Sequence, residues 1–250
     1  MRKAVIHSRD QSDACVCPVR YRARRFRHLI NRQPQVVTMK LIAIRHGETE
    51  WNIQSREMGQ LDSALTVRGI QQARAIAKRL SRRRFDALYC SDLGRAIRTA
   101  QIISAETGVE AVIDPGLRER NMGIFQGLTR AEMSEQFPLE YLEYRRVRHT
   151  FRIPKGESGQ DRLARSIRVL TEIAMRHVDE TVVVVTHGGF LMGFFEHVLG
   201  MTPGNGWRFR QENAAFNCFE HLNGTWSLVT WNETSHLDDL MSINDPTAQN

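Results

Sequence analysis

An arginine, a histidine and a glycine stand together where an apolar run ends, in the stretch Leu41 to Asn52 (LIAIRHGETEWN) of this 250-residue chain. The residue types suit phosphoryl chemistry. A neutral imidazole is a nucleophile, an arginine clamps phosphate oxygens in a bidentate fork, and a glycine lets backbone approach an anion closely. With a reference pKa of about 6.5, His46 can be neutral near pH 7 without a metal. Arg45 would hold the phosphate, His46 would attack phosphorus, and Asn52 would add one hydrogen bond. A second histidine follows another apolar run, VVVVTHGGF. There His187 and the start of a helix would share one anion site and stabilise charge on the transferring group. Arg95, in YCSDLGRAIRTAQ, is the partner cation expected for Arg45, with Arg98 read as a surface residue. Transfer to a histidine expels an alkoxide, which needs an acid, and the return step needs a base for water. Glu119, in LRERNMGIFQG, is the carboxyl group proposed for both.

These residues must be positioned by strands and helices, and the pattern of apolar residues supplies them. Strands are predicted at Lys40–Ile44, Phe85–Cys90, Glu110–Ile113 and Thr181–Thr186, the last with four consecutive valines and buried on both faces. Helices are predicted at Thr66–Leu80, Leu93–Thr107 (stopped by Gly108), Ser158–His177 and Gly189–Leu199. Shorter helices fall at Thr129–Gln136, closed by Pro138, and at Glu140–Arg148. A hairpin is expected from Phe216–His221 and Thr225–Trp231 around Asn223-Gly224. The order implies an α/β fold: a three-layer, Rossmann-like, mainly parallel sheet flanked by helices. Ligands bind outside the carboxyl ends of such strands, where Arg45-His46, Ser91-Asp92 and His187-Gly188-Gly189 all fall.

The full set resembles the histidine phosphatase superfamily, in its phosphoglycerate-mutase-like branch, across roughly residues 39–237. The motifs are RHGETEWN, GQLDSALT with Gly69, SDLGRAIRTA, LRERNMGIFQG, IPKGES, THGG and NETSHL. Cys90 and Thr186 stand where serine is frequent. The resemblance implies a phosphoglycerate-mutase-like fold, a phosphohistidine at His46, supporting roles for Arg45, Arg95, Glu119 and His187, and neither metal nor cofactor. Contacts to substrate are expected from Asn52, Gly59, Gln60 and Gly188, with Arg120, Arg130, Arg145 and Arg146 as cations for a second acidic group. Only about forty residues separate Glu119 from the long helix, which resembles the phosphatase-like members more than the mutases. The expected activity is hydrolysis of a small acidic phosphate ester. A 2,3-bisphosphoglycerate-dependent mutase is the alternative, and an inactive binding module would require one of the five groups to be missing.

Composition bounds the rest. The chain is 41% hydrophobic and 25% charged, ordinary for a globular protein, and no run nears the roughly 20 apolar residues that cross a bilayer. The net charge is +7, but residues 1–38 hold nine Lys/Arg against two acids, Asp10 and Asp13. The remainder is neutral, which argues against nucleic acid as a partner. Residues 1–38 are read as a basic extension, disordered or placed upstream of a true start at Met39. A transit peptide is disfavoured by the two acids. The catalytic domain is expected at 39–238 and a tail at 239–250. Four cysteines without metal spacing fit a reducing compartment, hence the cytoplasm. A homodimer is compatible with this reading and not required by it. Substrate choice is assigned to residues 120–157 and to the loop Trp207–Asn213.

Overall fold

The computed structural model describes residues 38–203, 208–238 and 240. The basic extension (but for Thr38), Gly204-Asn205-Gly206 of the loop read after Pro203, Trp207, and the tail but for Leu240 lie outside the described residues.

Six strands form one sheet: β1 (Thr38–Arg45), β2 (Ala87–Cys90), β3 (Ala111–Ile113), β4 (Thr181–Thr186), β5 (Phe216–Leu222) and β6 (Thr225–Glu233). Their order is β3-β2-β4-β1-β5-β6. The first four are mutually parallel, whereas the hairpin β5–β6 runs antiparallel against β1. The first strand starts before its predicted boundary. Met39 lies inside it, buried and opposite His221.

Strand alternation builds the two faces. Ile42, Ile44, Val183 and Val185 pack with α2 (Val67–Leu80) and α3 (Gly94–Thr107). Leu41, Ala43, Val182 and Val184 pack with α6 (Gly159–Arg176) and α7 (Gly188–Val198). The four valines of β4 are buried because both neighbours and both helical layers cover them.

Local signals set the helix ends. Thr66 caps α2 and Ser158 caps α6 in a capping box with Asp161. Gly108 ends α3 in the left-handed region. A one-turn helix, α1 (Glu50–Ile53), was not foreseen; Thr49 and Asn52 close it with a reciprocal capping box. Pro138 was expected to close α4 (Arg130–Gln136), but it opens α5 (Pro138–Arg146) at the first helical position, where its missing N–H costs nothing. Between β3 and α6 lies a third apolar cluster centred on Phe125, whose ring meets those of Phe137, Tyr141 and Tyr144.

Candidate active site

The parallel register pairs Arg45 with Thr186 at the ends of β1 and β4. The next residue on each strand is therefore a histidine, and their ring centroids lie 5.3 Å apart. Helix α2 leaves β1 on one face and α7 leaves β4 on the other, so a crevice opens between the strand ends. A cavity of about 300 Å³ occupies it, lined by Arg45, His46, Asn52, Gly59, Arg95, Glu119 and Gly188, among others.

His46 is held from every side. Its N–H donates to the Thr186 carbonyl at 2.9 Å, and its own carbonyl accepts from the Asn213 side chain at 2.9 Å. Nδ1 lies 2.8 Å from the Gly47 carbonyl. A carbonyl only accepts, so Nδ1 carries the proton and Nε2 keeps the lone pair. Burial, then the Arg95 and Arg45 charges, push the His46 pKa well below the usual histidine value. All three causes disfavour the imidazolium, and the neutral tautomer with a nucleophilic Nε2 follows.

Arg95 is 2% exposed. Its Nη atoms donate to the carbonyls of Gly59 at 2.8 Å and Leu61 at 2.7 Å and to Asp62 at 3.1 Å. Asp62 also takes the Gly94 N–H at 2.7 Å, capping α3 from a distant loop, because Leu93 at the N-cap offers no side-chain bond. Arg45 donates to the Gln211 carbonyl at 2.7 Å. Both arginines keep a buried Nε without a partner, and both ring nitrogens of His187 are buried and unpartnered. His187 stands at the N-cap of α7 but makes no capping bond. Burial, then Arg95, the neighbouring His46 ring, Arg165 and Arg45, lower its pKa well below the ordinary value. Each such unpaired polar group costs about 1–3 kcal/mol. They belong to residues beside His46, two of them lining the same cavity, and donors of this kind suit an anion.

Glu119 is pinned by two amides. Gly189 N–H donates to Oε2 and Arg120 N–H to Oε1, both at 2.7 Å. Its carbonyl takes the Gln60 side chain at 3.1 Å and Arg165 at 3.2 Å. A Cβ on Gly189 would sit 2.5 Å from Glu119 Oε1, and one on Gly188 3.3 Å from Arg45 Nε. The double glycine therefore lets a carboxylate and a guanidinium lie flat against α7. Asn52 lines the cavity with its amide oxygen committed to Thr49 N–H at 3.1 Å and Asn213 at 3.3 Å, which leaves its NH₂ as the end able to donate to a ligand.

The expected second-anion cations are not brought together. Arg130, Arg145 and Arg146 are exposed and line no part of the cavity; Arg146 pairs with Glu143 on its own helix, because that run of charge faces solvent. Arg120 does line the cavity, but its Nε, Nη1 and Nη2 donate to the carbonyls of Glu157, Arg148 and Phe151 at 3.0–3.3 Å. It clamps the segment. Gln60 acts through the Glu119 backbone and does not line the cavity. Sequence reasoning missed Arg162, a half-buried arginine in the first turn of α6 whose Nε is buried. It shares the stripe of Gly159, Ser166, Val169 and Leu170, so a charge on a core-facing stripe was the available signal. It also missed Asn213 and Thr99, whose hydroxyl accepts the Gly47 N–H at 3.1 Å. Among the described residues no group of three His, Cys, Asp or Glu could hold a metal ion, and no helix is long and apolar enough to cross a membrane.

The pattern of the histidine phosphatase superfamily (branch 1) matches residues 41–234. The chain belongs to this superfamily. It is an enzyme of the histidine phosphatase type, and its relatives carry both phosphatase and mutase names. It is 37% identical over 204 residues to phosphoglycerate mutase-like protein 4 of Arabidopsis thaliana, covering 80% of this chain and 87% of that one. It is 36% identical over 204 residues to the metal-independent phosphoserine phosphatase of the same plant, covering 80% and 84%. Among solved structures, a mycobacterial glucosyl-3-phosphoglycerate phosphatase is 33% identical with a TM-score of 0.66, covering 78% of this chain and 98% of that one.

Proposed function

We propose that this histidine phosphatase hydrolyses small acidic phosphate monoesters in the cytoplasm through a phosphohistidine at His46. The observation that carries the reading is that Arg45 and Arg95, each with a buried, unpartnered Nε, line one cavity with His46, while His187, its ring centre 5.3 Å from that of His46, keeps both ring nitrogens unpartnered. In the first step Nε2 attacks phosphorus, an N–P bond forms and the ester P–O bond breaks. Glu119 gives its proton to the departing alkoxide. In the second step water attacks phosphorus, the N–P bond breaks and Glu119 takes the water's proton. Arg45, Arg95, the Asn52 amide and His187 hold the phosphoryl oxygens, and the charge they meet grows in the transition state. Among the described residues the two cysteines, Cys90 and Cys218, are free, buried thiols, which suits a reducing compartment.

A mutase would use the same first step and then return the phosphoryl group to the substrate. Relatives with mutase names give that reading its support. The deciding assay follows free phosphate and 2-phosphoglycerate together from 3-phosphoglycerate, beside a panel of phosphomonoesters. Phosphate without isomer is the expected result; isomer formation boosted by 2,3-bisphosphoglycerate would replace hydrolase by mutase.

A further inference from the structure

Six arginines line the cavity, and their commitments divide them. Arg45 and Arg95 face His46. Arg56 spends its nitrogens on Gln54, Gly127 and Glu132. Arg120 spends its own on three carbonyls. Arg148 lies 5.4 Å from the Tyr144 ring centre on the exposed side. Arg162 shares a buried, unpartnered Nε with Arg45 and Arg95, and Glu119 acts on all three, but its other charged neighbours are Glu196 and Arg148 in place of Glu212 and Asp62.

Its position relative to the chemistry follows from one residue. Arg162 Nη1 donates to the Gly189 carbonyl, and the Gly189 amide donates to Glu119. The group proposed to protonate the ester oxygen and the half-buried guanidinium are therefore held by the N–H and the carbonyl of one residue, Gly189. Arg162 and Glu119 line the same cavity, so a short carbon chain on that oxygen has Arg162 within the space it enters. A Cβ on Gly193 would lie 2.4 Å from Arg162 Nη2, so the absence of a side chain on α7 makes room for the fork.

We infer that Arg162 is a specificity-determining residue that grips a carboxylate on the carbon chain of the substrate, next to the phosphate ester. This inference rests on the phosphomonoesterase reading and names the substrate class within it. A planar fork with an open edge matches a planar carboxylate, and a cavity of about 300 Å³ suits a small phosphocarboxylate. The role earlier expected of Arg130, Arg145 and Arg146 thus passes to an arginine that the cavity contains.

The test compares 3-phosphoglycerate with glycerol 3-phosphate, which lacks the carboxylate, on the full chain and on the Arg162→Gln and Gly193→Ala variants. Arg162→Gln should raise KM for 3-phosphoglycerate by about 10- to 100-fold, the size of a lost charge-assisted bond, and leave kcat/KM for glycerol 3-phosphate within about twofold. Gly193→Ala favours the helix and displaces the guanidinium, so it should shift KM in the same selective way by less. Equal losses on both esters would overturn the inference and make Arg162 a support for Gly189 and Glu119; no loss on either would overturn it too. Calorimetric titration of both esters into a His46→Ala background reads the same preference without turnover. Failure of hydrolysis with an Arg162-dependent preference in binding would sink the hydrolase reading and keep Arg162 as the carboxylate grip.

Discussion

The inner and outer halves of the cavity are built by different means. Around His46 the groups come from strand ends and the first turns of helices, and backbone bonds fix them: Thr186 and Asn213 hold His46, and the 59–62 loop holds Arg95. Around Arg162 the walls come from α5, α6 and the Phe125 cluster, where packed rings and long arginines reaching carbonyls of the segment do the holding: Arg120 bonds three carbonyls and lies 5.4 Å from the Tyr144 ring centre, as does Arg148. A sheet dictates position to within a fraction of a residue. A packed loop with its own small core does not, and it can change without disturbing the chemistry. On the proposed reading, the division separates a reaction centre from a substrate-reading region.

That division can be broken, or sharpened, by substitution. The largest effect is expected at His46→Ala, which removes the nucleophile and should cut turnover to below about one per cent for every ester; residual turnover above that level would mean a different attacking group. Glu119→Gln should follow, with a loss of about 10²–10⁴-fold in kcat, smallest for esters with good leaving groups such as p-nitrophenyl phosphate, because those need no proton. Gly189→Ala forces the Glu119 carboxylate aside and should cost about 10- to 100-fold in kcat with the sheet intact by circular dichroism. Activity against pH gives a subtler separation. His46 and His187 are held well below the ordinary histidine range, so kcat/KM should stay level as pH falls through about 6.5 and drop only below it. An acid limb centred at an unperturbed histidine value would contradict the electrostatics described. Stability has the matching sign: below about pH 6.5 the unfolded chain binds protons at these histidines and the folded one does not, so the melting temperature should decline with acidification and recover with phosphate. The smallest effect is expected from Arg130→Ala, Arg145→Ala and Arg146→Ala, which should each change kcat/KM by no more than about twofold.

The same boundary divides what could be read in the sequence from what could not. Strands bounded by apolar alternation, and helices with a Thr66 or Ser158 cap and a Gly108 stop, carry their signals locally. His46 and His187 were legible because each ends such a strand. A common crevice at the strand ends was expected from the βα order, while the adjacency and register of β1 and β4 that set them side by side were not. Asn213 reaches His46 across 167 positions and Thr99 reaches Gly47 across 52, and neither has a local mark. The arginines misjudged between 130 and 146 share a composition with a binding patch and a periodicity that faces water. Arg162 was hidden by the opposite circumstance, a charge inside an amphipathic stripe that reads as core.

The close approach of the nucleophile loop to α2 has a consequence for how the protein opens. A Cβ on Gly47 would lie 2.4 Å from the Gly69 carbonyl, and one on Gly69 would lie 2.0 Å from that of Glu48. Glu48 is further tied to α2 by Gln72 at 2.9 Å and Thr66 at 2.9 Å, and Gly47 to α3 by Thr99. The loop that presents His46 thus owes its shape to two helices that follow it in the chain, and not to β1 alone. Undocking of the α2–α3 pair would remove those ties and with them the shape of the loop, even with β4 in place. Amide hydrogen exchange at Gly47 and Glu48 would report that event, making the opening rate of one helical layer a clock for loss of function well before global unfolding.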